Sequence, residues 1–497
     1  QPILNGLVKA SRLSFQGNMV ESANLEVNTS GGQFKLSGKG RGVLLNGEQF
    51  QDISLRGNGD IKKHSIALTA DHVEAKVMAE IIGEWDAGVW RSRINDFSVD
   101  NTALGRWRLA KPANVSVSTA GIEADEMCLI STTGSACTQI NYSAQAGFST
   151  EGELKNTPLD LLSPFLPPEI DIKGRVAGRY KVNLNPDLKG TADLNFTSGE
   201  VKMMQGGKVQ RFAYTSGSVV TEIDGDNIKS DINFDLSPQG AVSATSDIQL
   251  SPSDGNHVID AKGQFQDVPL GLAQAFLPEG MNLTGLASGL FDVQQTEDER
   301  FGKLSLNSSG VRFIHTDAAT GRQRYNFDNL KVNATVTGDN VVADAALSIR
   351  GEGNFSTRAT ADLGQPELIK SIEAEGQLNE MPLALAKPYL PKDIGVEGLL
   401  SGQYKITQES AGPVGQVDLL VKNGLFSYAA SSSKPDVFRF KQAKLQGSIK
   451  GDQALADVAL ELRDGGVLTS KVGALVSSFD KKPIFTAEGV LEDLPLE

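Results

Sequence analysis

The chain has 497 residues, 39% of them hydrophobic but only 6% aromatic, with 52 glycines and a formal net charge of −14. That acidic balance argues against nucleic acid as a partner and against electrostatic docking on an anionic membrane face, since both select basic patches. No run approaches the roughly 18 to 20 apolar residues that cross a bilayer as a helix, and the opening QPILNGLVKAS lacks the apolar core of a signal peptide.

Residues 1–157 read as an N-terminal segment of β-repeats that contains both cysteines, Cys128 and Cys137, within CLISTTGSAC. In an oxidising compartment they would staple a hairpin, Gly134 and Ser135 allowing a tight turn; in a reducing one they would be two incidental thiols. From residue 158 a block recurs: PLDLLSPFLPPEIDIKGRVAGRY at 158–180, PLGLAQAFLPEGMNLTGLASGLF at 269–291 and PLALAKPYLPKDIGVEGLLSGQY at 382–404, with LPLE starting another copy. Pro158, Pro269, Pro382 and Pro495 stand 111, 113 and 113 residues apart. The expected division is therefore into units 158–268, 269–381 and 382–494 plus the start of a further one at 495–497, stacked as one continuous body. Because the chain starts and stops inside this pattern, it reads as an internal fragment of a longer protein.

Between these blocks the period is two. Val176, Tyr180, Val182 and Leu184 alternate with Ala177, Arg179, Lys181 and Asn183, and after Gly190 Ala192, Leu194 and Phe196 alternate with Asp193 and Asn195. Ile232, Phe234 and Leu236 repeat the pattern, as do Leu304 and Leu306 around Ser305, then Leu330 and Val332. Val417, Leu419 and Val421 flank Asp418, and Val458 and Leu460 complete the series. Such strands have one apolar and one wet face, as in an antiparallel sheet covered on one side, and DGDN, SPQG, TGDN and KGDQ supply turns. At ~13 residues per strand with its turn, the chain would hold ~38 strands. The PLxL blocks are the exception. Their prolines sit badly in a central strand, so the blocks are expected to form bends or caps, with a short helix placing Leu159, Leu162, Phe165 and Leu166 on one face.

The fold class is thus all-β with few short helices, and the apolar face must curl on itself, meet a second sheet or hold an apolar ligand. On pattern alone a packed core is favoured over a groove for acyl chains. Enzyme chemistry finds no footing. His64, His72, His257 and His315 lack paired ligand spacing and read as exposed strand residues, GKGRG and GEG read as turns or bulges, and no acid/base carboxylate pair stands out. No catalytic residue, metal or cofactor is expected.

Four segments carry a resemblance: DISLRGNGDIKKHSIAL with His64, GEWDAGVWRSRINDFSVDNTALGRWRL with Trp90 and Trp107, MCLISTTGSAC, and NTPLDLLSPFLPPEIDIKGRVAG. In that order of Trp, Trp, Cys, Cys and PLxLLxPFLP, strongest over residues 50–185, the chain resembles the TamB family, AsmA-like bridge proteins of Gram-negative bacteria. The resemblance extends over most of the chain and suggests the central to C-terminal part of the family's β-rich region, without its N-terminal membrane helix or C-terminal domain. It implies a periplasmic protein anchored in the inner membrane by a helix absent here, paired through another absent region with TamA, an outer-membrane barrel protein. It further implies an elongated sheet curled into a taco-like trough whose apolar interior carries phospholipid to the outer membrane, and a role in assembling outer-membrane and autotransported proteins. The balance then moves from packed core to groove. The apolar residues of the alternating strands become its lining, phospholipid acyl chains become its ligand, and the two cysteines fall in an oxidising compartment as a disulfide. The alternatives are a scaffold or chaperone whose sheet edges pair with client strands, and a closed β-solenoid.

Overall fold

The computed structural model describes residues 4–15, 17–45, 47–102, 105–161, 166–167, 170–205, 208–250, 257–272, 281–296, 299–317, 321–349, 352–362, 371–385, 394–409, 412–428, 436–463, 465–475 and 485–493. Among them are 31 strands, antiparallel wherever a register is defined, and the only helical turns are single 3-10 turns at 159–161, 270–272 and 383–385. The count falls below the expected ~38 because the strands are longer than supposed, reaching 18 residues in Leu188–Gln205 and Arg300–Asp317. Contacts divide the chain into two units, Gln1–Pro238 with Asp247–Gln249, and Gln239–Ser246 with Leu250–Glu497.

The recurring block has a recurring conformation. Strands Gly147–Pro158, Val258–Pro269 and Ser371–Pro382 each end on the repeated proline, directly after a register shift of one residue. The extra residue adopts a left-handed backbone: Asn156 (φ 50°), Asp267 (φ 51°) and Glu380 (φ 51°). Asp493 (φ 54°) stands in the same place, two before Pro495. Such a bulge changes which side chains face inward. Leu154 and Thr157 lie opposite Gly178 and Val176 respectively, so after the bulge Thr157 and then Leu159 point to the face that carries Val176. Leu159 is fully buried there with Val176 and Tyr214, and Leu270 is buried with Ala287 and Val311 in the corresponding cluster of the second unit. Ser288 and Ser401 accept hydrogen bonds at 2.9 Å from the bulge amides of Asp267 and Glu380.

Asn and Asp tolerate left-handed φ far better than Glu, because their short side chains hydrogen-bond the local backbone and so offset the crowding of Cβ against the following carbonyl. Glu380→Gly is therefore expected to raise stability by about 0.5–1 kcal/mol, read as a higher urea midpoint with an unchanged m-value; a lower midpoint would show that the Glu380 side chain stabilises the bulge.

In the first unit the ladder divides. Strand Val89–Asn101 pairs along one edge with both Gly105–Leu109 and Ala113–Ser118, and these lead through Met127–Ile130 and Gly121–Ala124 to a shared partner, Ser135–Ser143. Pro112, with no N–H to give, separates the first pair, and Asp125 separates the second while accepting from the Asn114 side chain at 2.8 Å. Trp107, Leu109, Ala113 and Ala124 are buried around this split.

Cys128 and Cys137 are joined by a disulfide, directly opposite each other in the hairpin with Cα atoms 3.9 Å apart. Ser131 closes the turn, its Oγ accepting from the amides of Thr133 and Gly134. So short a loop contributes about 2–3 kcal/mol through the unfolded chain. Cys128→Ser should cost no more than this, with amide exchange speeding up first across residues 127–138; a loss spread evenly over the first unit would assign the bond a global role.

The block turns are 3-10 rather than α-helical. Leu162 and Phe165 lie outside the described residues. Two of the histidines differ from their expected exposure. His64 and His72 are half-buried because each ring fills a cross-strand site: Trp90 Nε1 donates to His64 Nε2 at 2.9 Å, and His72 Nδ1 accepts from the Glu74 amide while Nε2 meets Glu48 at 3.2 Å. His257 is exposed, and the side chain of His315 is outside the description.

Candidate functional site

Residues directly opposite in a ladder share a face, so registers trace a face from strand to strand. In the first unit one row runs Ala136, Leu154, Gly178, Leu194, Val219, Ile232. Beside it run Ala192 with Tyr180, and Phe196 with Val176 and Gly217, whose other neighbour is Phe234. Leu194, Phe196, Phe234 and Leu236 pack against the Leu159–Val176–Tyr214 cluster. Val182 lies in the next row, opposite Thr150, whereas Asp193 and Asn195 on the other face are exposed.

In the second unit a row crosses twelve strands without interruption: Gly289, Leu306, Val332, Ala345, Thr357, Gly376, Tyr404, Val417, Gly447, Ala456, Val472, Ala487. None of the twelve is charged. Leu419 stands one row over, opposite Leu445, which in turn faces Val458; Val421 similarly leads through Ala443 to Leu460. Leu330 packs with Leu306 around Val311. The candidate residues from each unit thus share that unit's apolar face.

Two of them are more exposed than a lining position suggests. Leu184 is 49% exposed as the last residue of its strand, and Leu304 is 37% exposed because its row continues through the short side chains of Ala334 and Ala343. Ser305, expected in water, is half-buried. Asp418 is also half-buried, on the opposite face from Leu419, where its carboxylate accepts from Gln446 Nε2 at 3.4 Å.

Glycine and aromatic positions cooperate on the apolar face, a pairing the alternation pattern does not disclose. Tyr180, Phe291 and Tyr404 stand opposite Gly152, Gly263 and Gly376. The rings lie over these glycines so closely that a methyl group on Gly376 would come to 2.7 Å of Tyr404 Cε1, and one on Gly152 to 2.7 Å of Tyr180 Cε1. Each tyrosine then reaches one strand further, donating to Thr138 Oγ1 at 2.9 Å or Thr357 Oγ1 at 2.8 Å. A ring laid flat covers backbone with apolar surface without raising a rib, and its hydroxyl is satisfied.

The other face of the second unit is polar. A concavity of about 1400 Å³ in this unit is lined by nine residues of the uncharged row, from Ala345 to Ala487, together with the residues that flank them in each strand, among them Asp344, Arg358, Glu375, Lys405, Asp418 and Lys471. Opposite charges neutralise each other there. Arg358 meets Asp344 at 3.5 Å, and Lys405 pairs with Glu373 and, at 3.8 Å, Glu375. The hydrogen bond from Lys405 to Glu373 holds the ammonium pKa above its ordinary value. These exposed pairs are screened by water and contribute little. Among the described residues, the one grouping with metal-ligand spacing is Glu126, Cys128 and Cys137, and its two sulfurs are committed to the disulfide.

Residues 1–289 match the family model described as TamB, N-terminal domain. The chain belongs to the TamB family. The match lies in a domain described as N-terminal, which differs from the expected placement in the central to C-terminal part of the TamB β-region. No curated protein and no solved structure matches the chain. TamB proteins belong to the Gram-negative envelope and are associated with TamA and with membranes. No helix among the described residues of this TamB-family chain is long and apolar enough to cross a membrane.

Proposed function

We propose that the chain is a periplasmic stretch of a bridge that carries phospholipid between inner and outer membranes, acyl chains against the apolar face and headgroups in water. The twelve-strand row free of charge carries this reading. Two acyl chains hold on the order of 30 methylenes, and exposing them at ~0.8 kcal/mol each would cost ~24 kcal/mol, a barrier no free diffusion path sustains. A face that changes little from strand to strand removes most of that cost and keeps successive positions close in energy. The transfer is passive. No bond is made or broken, and the apolar residues of each unit act as lining. TamA at the outer membrane and the inner membrane complete the assembly.

Native mass spectrometry of the purified chain tests the reading. Adducts of phospholipid mass are expected, and Val417→Arg should deplete them several-fold by placing a charge in the row. Bare protein alone, under conditions that preserve lipid adducts on a known carrier, would count against lipid as the ligand.

A further inference from the structure

We infer that a stripe of aromatic and aliphatic side chains at one end of the first unit's apolar face holds phospholipid at the boundary between its acyl chains and its glycerol and headgroup. This rests on the lipid-carrying reading and specifies where on the face the lipid's polar boundary lies. Trp85 is opposite Trp90, Trp90 opposite Val117, Val117 opposite Ile122, Ile122 opposite Tyr142, Tyr142 opposite Phe148 and Phe148 opposite Leu184. Seven side chains on seven strands therefore form one stripe, ~29 Å long at ~4.8 Å per strand. Trp85, Ile122, Tyr142, Phe148 and Leu184 are between 36% and 49% exposed. Few large apolar side chains stand so exposed in a continuous line without a partner.

Three observations point to lipid as that partner. The first is a gradient along one face. Beyond the stripe the chain turns through polar residues such as Asn185 and Asp187; within it, Val182 and Tyr180 lead to Val176, which is 4% exposed. From Leu184 to Val176 is eight residues, ~26 Å of strand, enough to shelter a chain that spans one leaflet of a ~30 Å hydrocarbon core. The second lies in the polar tips. Trp90 Nε1, Tyr180 Oη and Tyr214 Oη are hydrogen-bonded within the protein, whereas Trp85 Nε1 and Tyr142 Oη have no protein partner among the described residues. Amphipathic rings with a free polar tip suit the level where hydrocarbon meets headgroup. The third excludes a strand-adding peptide. Every interior strand of the stripe is already paired on both sides, which leaves no backbone edge to extend. One and two periods after Leu184 stand Gln295 and Gln408, so the lip is particular to the first unit.

The test uses phosphatidylcholine brominated at acyl carbons 6 and 7 or at carbons 11 and 12, loaded onto the whole chain, with bound lipid counted by mass spectrometry on the same sample. The difference in emission between the unsubstituted protein and Trp85→Phe isolates Trp85. Shallow bromine should quench that difference signal at least twofold more than deep bromine, and Tyr142→Ser with Phe148→Ser should lower bound lipid several-fold at an unchanged thermal midpoint. Bound lipid with Trp85 unquenched, or quenched more by the deep label, would overturn the lip while leaving the carrier reading intact. No bound lipid at any loading would overturn both.

Discussion

Leu159→Ala should destabilise the first unit by about 2–5 kcal/mol. Leu159 is fully buried and sits on Val176 and Tyr214, with Leu154, Ile172, Leu194, Phe196 and Val201 packed around them. In a protein whose apolar face is mostly half-covered, this is one of few places where side chains close completely over the sheet, so truncation leaves a cavity with little freedom to collapse. The bulge at Asn156 makes the contact, since without its extra residue the leucine would face the opposite side. Leu161, two positions on and 36% exposed, is the control, and Leu161→Ala should cost under about 0.5 kcal/mol. Urea denaturation followed by far-UV circular dichroism measures both; equal effects would mean that Leu159 is not the cap described.

Gly402→Ala should be nearly as damaging for a different reason. Gly402 has φ +150°, and a Cβ there would lie 2.1 Å from the carbonyl oxygen of Asp418 and 2.8 Å from the Cα of Leu419, both backbone atoms of the neighbouring strand. Backbone cannot swing aside as a side-chain tip can. Overpacking costs about 1–3 kcal/mol and the strained conformation a similar amount, so the ladder between Ile394–Glu409 and Gly412–Tyr428 should open locally. Faster amide exchange confined to residues 415–422 is the expected signature. An unchanged exchange pattern would mean that the ladder accommodates the methyl group without opening.

Much of this was legible because one periodicity dominates the chain. Alternation at Leu194, Leu306 and Leu419 marks the apolar face without any knowledge of register, since every strand obeys the same two-residue rule. Register was not legible, and it is register that joins Leu306, Val332 and Val417 into a row across repeats. The bulges escaped notice for a related reason. Asn156, Asp267 and Glu380 share a conformation, but polar residues of these types are common throughout the chain, so only their fixed place two residues before a proline could have marked them. Alternation is also silent on what a ring covers. Gly376 and Tyr404 are 28 positions apart in sequence and one strand apart in space. His64 read as exposed because its cover, Trp90, lies 26 residues further on.

Site-specific photocrosslinking of phospholipid at adjacent positions tests the central claim most directly. Val417 and Leu419 share the apolar face, and Asp418 between them, opposite Gln403 and Gln446, faces the other side. In the full-length protein in its own envelope, probes at 417 and 419 should capture phospholipid and a probe at 418 should not. Equal capture at all three positions, or none at 417 and 419 while the protein remains folded, would contradict a one-sided lipid path along this sheet.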